Sequence, residues 1–104
     1  MSSSAWKKFE QYICSMFGGK RRGADYGDQF GGKNDCICTS GWSIEVKSWA
    51  HPSWTAMLSD ARKAVARKEN PDDIAIAVFH WKGHPRLQNT LVAMTLEEFK
   101  EHFL

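Results

Sequence analysis

Eight consecutive residues, Ile74-Ala75-Ile76-Ala77-Val78-Phe79-His80-Trp81, are apolar on both alternations of a strand, and they constrain the fold more than any other stretch of the chain. Side chains of a strand leave alternately to its two faces, so a strand with two apolar faces has to be covered on both. That predicts a central strand with helices on either side. Asp72 and Asp73 after Pro71 read as the turn before it, and Lys82-Gly83-His84-Pro85 as the break after it. At 104 residues the chain is one domain spanning 1–104, with a core of two or three layers and no room for a separate substrate domain.

The other elements follow from periodicity and caps. Ser4 can cap a helix running to about Phe17, where Gly18-Gly19 stops it. A loop to about Asn34 has room for a short edge strand. Asp35–Thr39 and Trp42–Trp49 read as an antiparallel hairpin around the turn residues Thr39-Ser40-Gly41. His51-Pro52-Ser53 interrupts the sheet, and Ser53 can cap a second helix with Trp54, Met57, Leu58, Ala61, Ala64 and Val65 on one face, ended by Asn70-Pro71. Leu91–Met94 forms a short strand. Thr95-Leu96-Glu97-Glu98 is a capping box, and Met94 with Phe99 is placed as a hydrophobic staple for a closing helix. The expected layout is α/β: a central mixed β-sheet flanked by helices in the order α-β-β-α-β-β-α.

Chemistry concentrates in the middle of this layout. Glu45 and Lys47 are two apart, so on a strand they leave the same face while Ile44, Val46 and Ser48 leave the other. The hairpin brings Asp35 to the same end. Two carboxylates side by side repel and raise one another's pKa, a conflict that a hard divalent cation such as Mg²⁺ resolves while keeping waters for a substrate phosphate. A lysine beside such a cation can orient the attacking water and offset charge developing on the phosphorus. On the first helix, Trp6, Phe9, Ile13, Met16 and Phe17 form one apolar arc at roughly 100° per residue, and Glu10 falls inside it. Either Glu10 is a boundary residue whose head reaches water, or it points toward the Asp35/Glu45 pair.

The formal charge of +2 is only mildly basic, but its distribution is uneven. Residues 1–34 carry +3 and residues 35–104 carry −1. In the positive third, Lys20, Arg21, Arg22 and Lys33 bracket Tyr26 and Phe30 in a Gly-rich loop suited to tracking a phosphate backbone. Arg62, Lys63, Arg67 and Lys68 read as solvated helix charges. Trp42, Trp49, Trp54 and Trp81 read as core or subunit-interface residues in preference to base-stacking platforms. His51 follows the Glu45/Lys47 strand, with a structural or surface role as its expectation. Three cysteines, an odd number, and no leader with an apolar stretch favour free thiols in a reducing compartment over secretion. The longest apolar run is too short to span a bilayer.

Taken together, Glu10 on an N-terminal helix, the basic Gly-rich loop, Gly32-Lys33-Asn34-Asp35 and Ser43-Ile44-Glu45-Val46-Lys47-Ser48 resemble the PD-(D/E)xK nuclease superfamily. Within it the chain is most similar to the small Holliday-junction resolvases of archaea and phages. The resemblance covers nearly the whole chain, with Asn34 in place of the proline that names the motif and Asp60 where a glutamine is common on the second helix. It implies a restriction-endonuclease-like core. It also implies an Mg²⁺-dependent endodeoxyribonuclease, with Mn²⁺ as substitute, in which Asp35, Glu45 and the Val46 carbonyl are metal ligands, Lys47 is the catalytic lysine and Glu10 an acid on the first helix. Lys20, Arg21, Arg22 and Lys33 would meet DNA, four-way junctions above all. The protein would act as a homodimer, with the last strand and helix as candidate interface, in the cytoplasm of a prokaryotic cell or an infected host. The competing readings are a nicking or restriction-like nuclease on flap, mismatch or duplex DNA, and a non-catalytic DNA-binding module of the same fold.

Overall fold

The computed structural model describes residues 3–23, 33–51, 53–84 and 86–104, the side chains of Ser3 and Ser4 excepted. The expectations for Tyr26, Phe30 and the Ser4 cap lie outside them. The elements run α1 (Ser3–Met16), β1 (Lys20–Arg21), β2 (Cys36–Ile37), β3 (Trp42–Trp49), α2 (Trp54–Ala66), β4 (Ile74–Trp81), a 3₁₀ turn (Leu87–Asn89), β5 (Thr90–Ala93) and α3 (Leu96–Phe103). Among the described residues no helix is long and apolar enough to cross a membrane.

The chain is mixed α/β, with a three-stranded sheet in the order β3-β4-β5 flanked by helices. β4 is the central strand that its two apolar faces predict: Ala75 to His80 are all buried. β3 runs parallel to it, Glu45 opposite Ala77 and Lys47 opposite Phe79, and α2 provides the crossover that a parallel pair requires. β5 is antiparallel on the other side.

The two faces carry different layers. Ile44, Val46, Ile76 and Val78 meet Ile13, Cys14 and Cys36, with Trp6, Phe9 and Phe17 packed around them, so α1 covers this face. Cys14 takes the place that the helical wheel gave Met16, which is 47% exposed. α2 covers the opposite face with Ala61 and Ala64, and the Ser43 hydroxyl donates to the Ala64 carbonyl (2.7 Å). Ser53 caps α2 as expected, its hydroxyl accepting from the Ala56 N–H. Trp54, placed on the apolar face by sequence, is 77% exposed at the first turn.

Two expectations are corrected. The residues after Asp35 do not form a hairpin ladder with β3; β2 instead pairs antiparallel with β1, in a separate two-stranded sheet. The turn between β2 and β3 does form, with the Trp42 N–H bonded to the Thr39 carbonyl (2.9 Å) and Gly41 at φ +86°. Gly19 explains why β1 can sit so close to β2: a Cβ there would lie 2.1 Å from the Ile37 carbonyl oxygen. Second, Cys14 and Cys36 are joined as a disulfide between α1 and β2, leaving Cys38 exposed and free. The odd count had favoured free thiols; the packing of α1 over β2 brings two of the three together with Cα atoms 5.5 Å apart.

The capping box is half realised. The Thr95 hydroxyl accepts from the Glu98 N–H (3.2 Å), but the Glu98 carboxylate turns inward instead of bonding back. It is 3% exposed, accepts from the Lys68 ammonium (2.7 Å) and the Ala75 N–H (3.1 Å), and lies 3.3 Å from His102 Nε2. One buried acid thereby joins α3 to the end of α2 and the start of β4. Burial pulls its pKa upward, but the hydrogen bonds from Lys68 and Ala75, with the Lys68 and His102 charges, outweigh it and hold the carboxyl below 4.5.

Candidate active site

Asp35 stands beside the free edge of β3. Its N–H donates to the Ile44 carbonyl (2.8 Å), and one carboxylate oxygen accepts from the Val46 N–H (2.6 Å). The side chain thus takes a bond that a neighbouring strand would otherwise make. Both main-chain groups of a strand residue point to the same side, so the Val46 carbonyl leaves the same edge. Asn34 braces the position: its amide donates to the Ser43 hydroxyl (3.3 Å) and its carbonyl oxygen accepts from the Cys36 N–H (3.1 Å). Asn34 therefore has a structural task of its own beside Asp35.

Glu45 is fully buried on the α2 side of β3. One of its oxygens accepts from Arg67, at the C-terminus of α2 (3.0 Å), and the other has no hydrogen-bond partner among the described residues. Burial first, and the Asp35 charge second, push its pKa above 4.5; Arg67 and Lys47 pull the other way. Glu10 reaches the same place from α1. Its side chain is 13% exposed and accepts from Arg21 (3.3 Å). Its pKa is raised by burial and then by Asp35, against the opposing effect of Arg21 and Lys47. Asp35 raises and Lys47 lowers the pKa of both glutamates, so each glutamate lies within electrostatic reach of these two charges. Glu10 is intermediate in burial with its carboxylate on the partly exposed Arg21, a placement that fits the boundary reading as well as the turn toward Asp35.

The three acids do not close up as a single shell. Among the described residues, the one set of three acid, histidine or cysteine side chains with ligand atoms all within 4.8 Å is Glu98, Glu101 and His102. In that set the Glu98 oxygens are already taken by Lys68 and Ala75. At the β3 edge the donor set that suits a hard cation is the Asp35 and Glu45 carboxylates with the Val46 carbonyl. The unpartnered, buried Glu45 oxygen is the observation that favours a cation there, since a buried carboxylate oxygen without a donor is costly.

The basic residues divide. Arg22 is buried: it donates to the carbonyls of Asn34 (2.7 Å) and Cys36 (3.3 Å), pairs with Glu69, and its own N–H bonds the Asp35 carbonyl (2.8 Å). This corrects its assignment as a DNA contact, because a guanidinium holding two buried carbonyls and a carboxylate is not offered to a phosphate. Arg21 is committed in part to Glu10, and its N–H bonds Gln11 (3.0 Å). Lys20 and Lys33 are exposed.

Arg67 is the residue that sequence reasoning missed. It was read as a solvated charge, yet it is the partner of the most buried acid in the site. The signal was its spacing: Arg67 lies three residues after Ala64 and seven after Asp60, both buried, so it continues the sheet-facing stripe of α2. Comparison of the chain with known protein-family models, with curated proteins and with solved structures gives no match.

Proposed function

We propose that the chain is a metal-dependent endodeoxyribonuclease of the PD-(D/E)xK type with a restriction-endonuclease-like core, acting on branched DNA as a Holliday-junction resolvase. The observation that carries this reading is the fully buried Glu45, with one oxygen unpartnered, within electrostatic reach of Asp35 and Lys47, as Glu10 is. Asp35, Glu45 and the Val46 carbonyl would hold Mg²⁺ or Mn²⁺. The ion would supply Lewis-acid polarisation of the phosphate and an acidified water. Lys47, beside both acids, orients the attacking water and offsets charge on the reacting phosphate. Glu10 completes the negative wall, and Arg21 limits its charge. Lys20 and Lys33 supply phosphate contacts. Such a role belongs in the cytoplasm of a prokaryotic cell or infected host. There the Cys14–Cys36 bond, at 0 and 1% exposure, is shielded from soluble reductants.

A symmetric junction calls for two sites, hence a homodimer. The exposed Val92 on the outer strand β5, with Leu96, Phe99 and Phe103 on α3, supports that end of the molecule as its interface.

The test is cleavage of a mobile four-way junction against matched flap and duplex substrates, with and without Mg²⁺. Glu45→Gln and Lys47→Ala should keep junction binding and lose cleavage by several orders of magnitude. Equal rates on all substrates would favour the nicking or restriction-like alternative. One observation favours the non-catalytic DNA-binding alternative: Arg67 and Arg21 already compensate two of the acids without a metal. Failure of Mg²⁺ or Mn²⁺ to raise the melting temperature or to permit cleavage would establish it.

A further inference from the structure

The sheet face that carries Glu45 and Lys47 continues past them into a cavity of about 490 Å³, lined by Trp49, Met57, Phe79, Trp81, Asn89 and Leu91 among others. Trp49 is two strand residues beyond Lys47, roughly 6.6 Å along β3, and on the same face. In the sheet register Phe79 lies opposite Lys47, Trp81 opposite Trp49 and Leu91 opposite Phe79, so three aromatic rings and an aliphatic side chain share one face. The volume falls in the range of small-ligand sites, about 300–1,000 Å³.

Its polar features select among occupants. The Trp49 indole N–H is enclosed by protein atoms, so the polar residues lining the space are Asn89, His51 and His80. The lining contains no carboxylate. Cations flank it in sequence: Lys47 before Trp49, Lys82 after Trp81, and Arg86 at the start of the 3₁₀ turn that carries Asn89. A planar ring with hydrogen-bond acceptors on its edge, carried on an anionic backbone, matches all three features.

Resting on the nuclease reading, we infer that this cavity receives one unstacked nucleobase of the branched substrate, adjacent to the phosphate held at the Asp35/Glu45/Lys47 site. The base stacks on the exposed Trp81 ring of the aromatic lining with its polar edge toward Asn89, while Lys47 and the flanking cations meet its backbone. Stacking on aromatic rings tolerates any base, so the cavity senses an unpaired nucleotide at the branch and not a sequence.

The experiment uses Glu45→Gln protein in Mg²⁺ and four-way junctions carrying a single abasic site, moved one nucleotide at a time through the branch, with affinity read by fluorescence anisotropy. One position should weaken binding on the order of 5- to 150-fold, the span of base–aromatic stacking, and its neighbours should have little effect. Trp81→Ala, which removes the exposed stacking ring, should weaken binding to the intact junction and leave affinity for that abasic junction unchanged. Intact-junction binding that no abasic position alters beyond about twofold overturns the inference and leaves the nuclease reading standing. The same insensitivity in a dimer that Leu91→Glu splits in sedimentation would show that a second copy covers the cavity, which also overturns it. Absence of any junction binding overturns both.

Discussion

Replacing Arg67 by Met removes the guanidinium and keeps most of the stem, and so isolates what this charge does for Glu45. The Glu45 side chain has no solvent exposure and that of Arg67 is 29% exposed. Removing one member of a buried pair leaves the other charge uncompensated, at about 3–5 kcal/mol. Partial exposure of Arg67 puts the expected loss at the lower end, about 3 kcal/mol. Against a total of about 5–15 kcal/mol the variant stays folded at room temperature, and it should melt on the order of 12–24 °C lower. The loss should depend on pH in a defined direction. Burial and Asp35 already hold the Glu45 carboxyl above 4.5, and without Arg67 it rises further. An acid with a raised folded pKa favours the fold once protonated, below that pKa, and opposes it as pH rises through it. Urea unfolding should therefore show Arg67→Met far below wild type at about pH 8 and approaching it toward about pH 5. In a Glu45→Gln background the same substitution should cost under about 1 kcal/mol, because no charge is left stranded. A loss equally large in that background, or none at all, refutes the pairing.

Glu98→Gln keeps the shape of the buried joint and removes its charge, which should cost about 1.5–3 kcal/mol at neutral pH. Because the Glu98 carboxyl is held below 4.5, its contribution is present above that value and is lost as pH falls through the folded pKa; a gap to wild type that stays constant in acid counts against it. Reducing Cys14–Cys36 in the unfolded chain and refolding under reductant reopens a loop with a sequence separation of 22, worth about 3 kcal/mol on the chain-entropy model; melting equal to that of the oxidised protein speaks against the bond. Arg22→Gln should destabilise by about 1–3 kcal/mol for each carbonyl it strands, and leave the salt dependence of DNA binding unchanged, while Lys20→Gln and Lys33→Gln each flatten that slope by about 0.9. The opposite pattern would return Arg22 to the DNA-binding surface.

Periodicity made the helices and the central strand legible, because β4 is buried on both faces and only one architecture covers it. The site acids were legible for a related reason: Glu10 breaks an apolar arc, and Glu45 and Lys47 share a strand face. The partner of β2 was not. Two residues of strand carry little pattern, and the bond that fixes Asp35 to β3 comes from a side chain, which no alternation records. Arg22 and Arg67 were misread because a charge on a loop or a helix is usually solvated. Their partners are Glu69, 47 residues from Arg22, and Glu45, 22 residues from Arg67. The cysteine pair depends likewise on how α1 lies over β2.

Those missed contacts have a common effect, which is to hold Asp35. Arg22 bonds its carbonyl, Asn34 just before it is tied to Ser43 and Cys36, the Cys14–Cys36 bond anchors the residue after it to α1, and Ile44 and Val46 take its N–H and carboxylate at the β3 edge. A carboxylate so restrained cannot turn away from Glu10 and Glu45, whose charges it opposes. Left to itself such a side chain would rotate toward water and relieve the repulsion. The surrounding bonds therefore keep the Asp35 charge close enough to raise the pKa of both Glu10 and Glu45, and the chain offsets that effect with Arg21, Arg67 and Lys47.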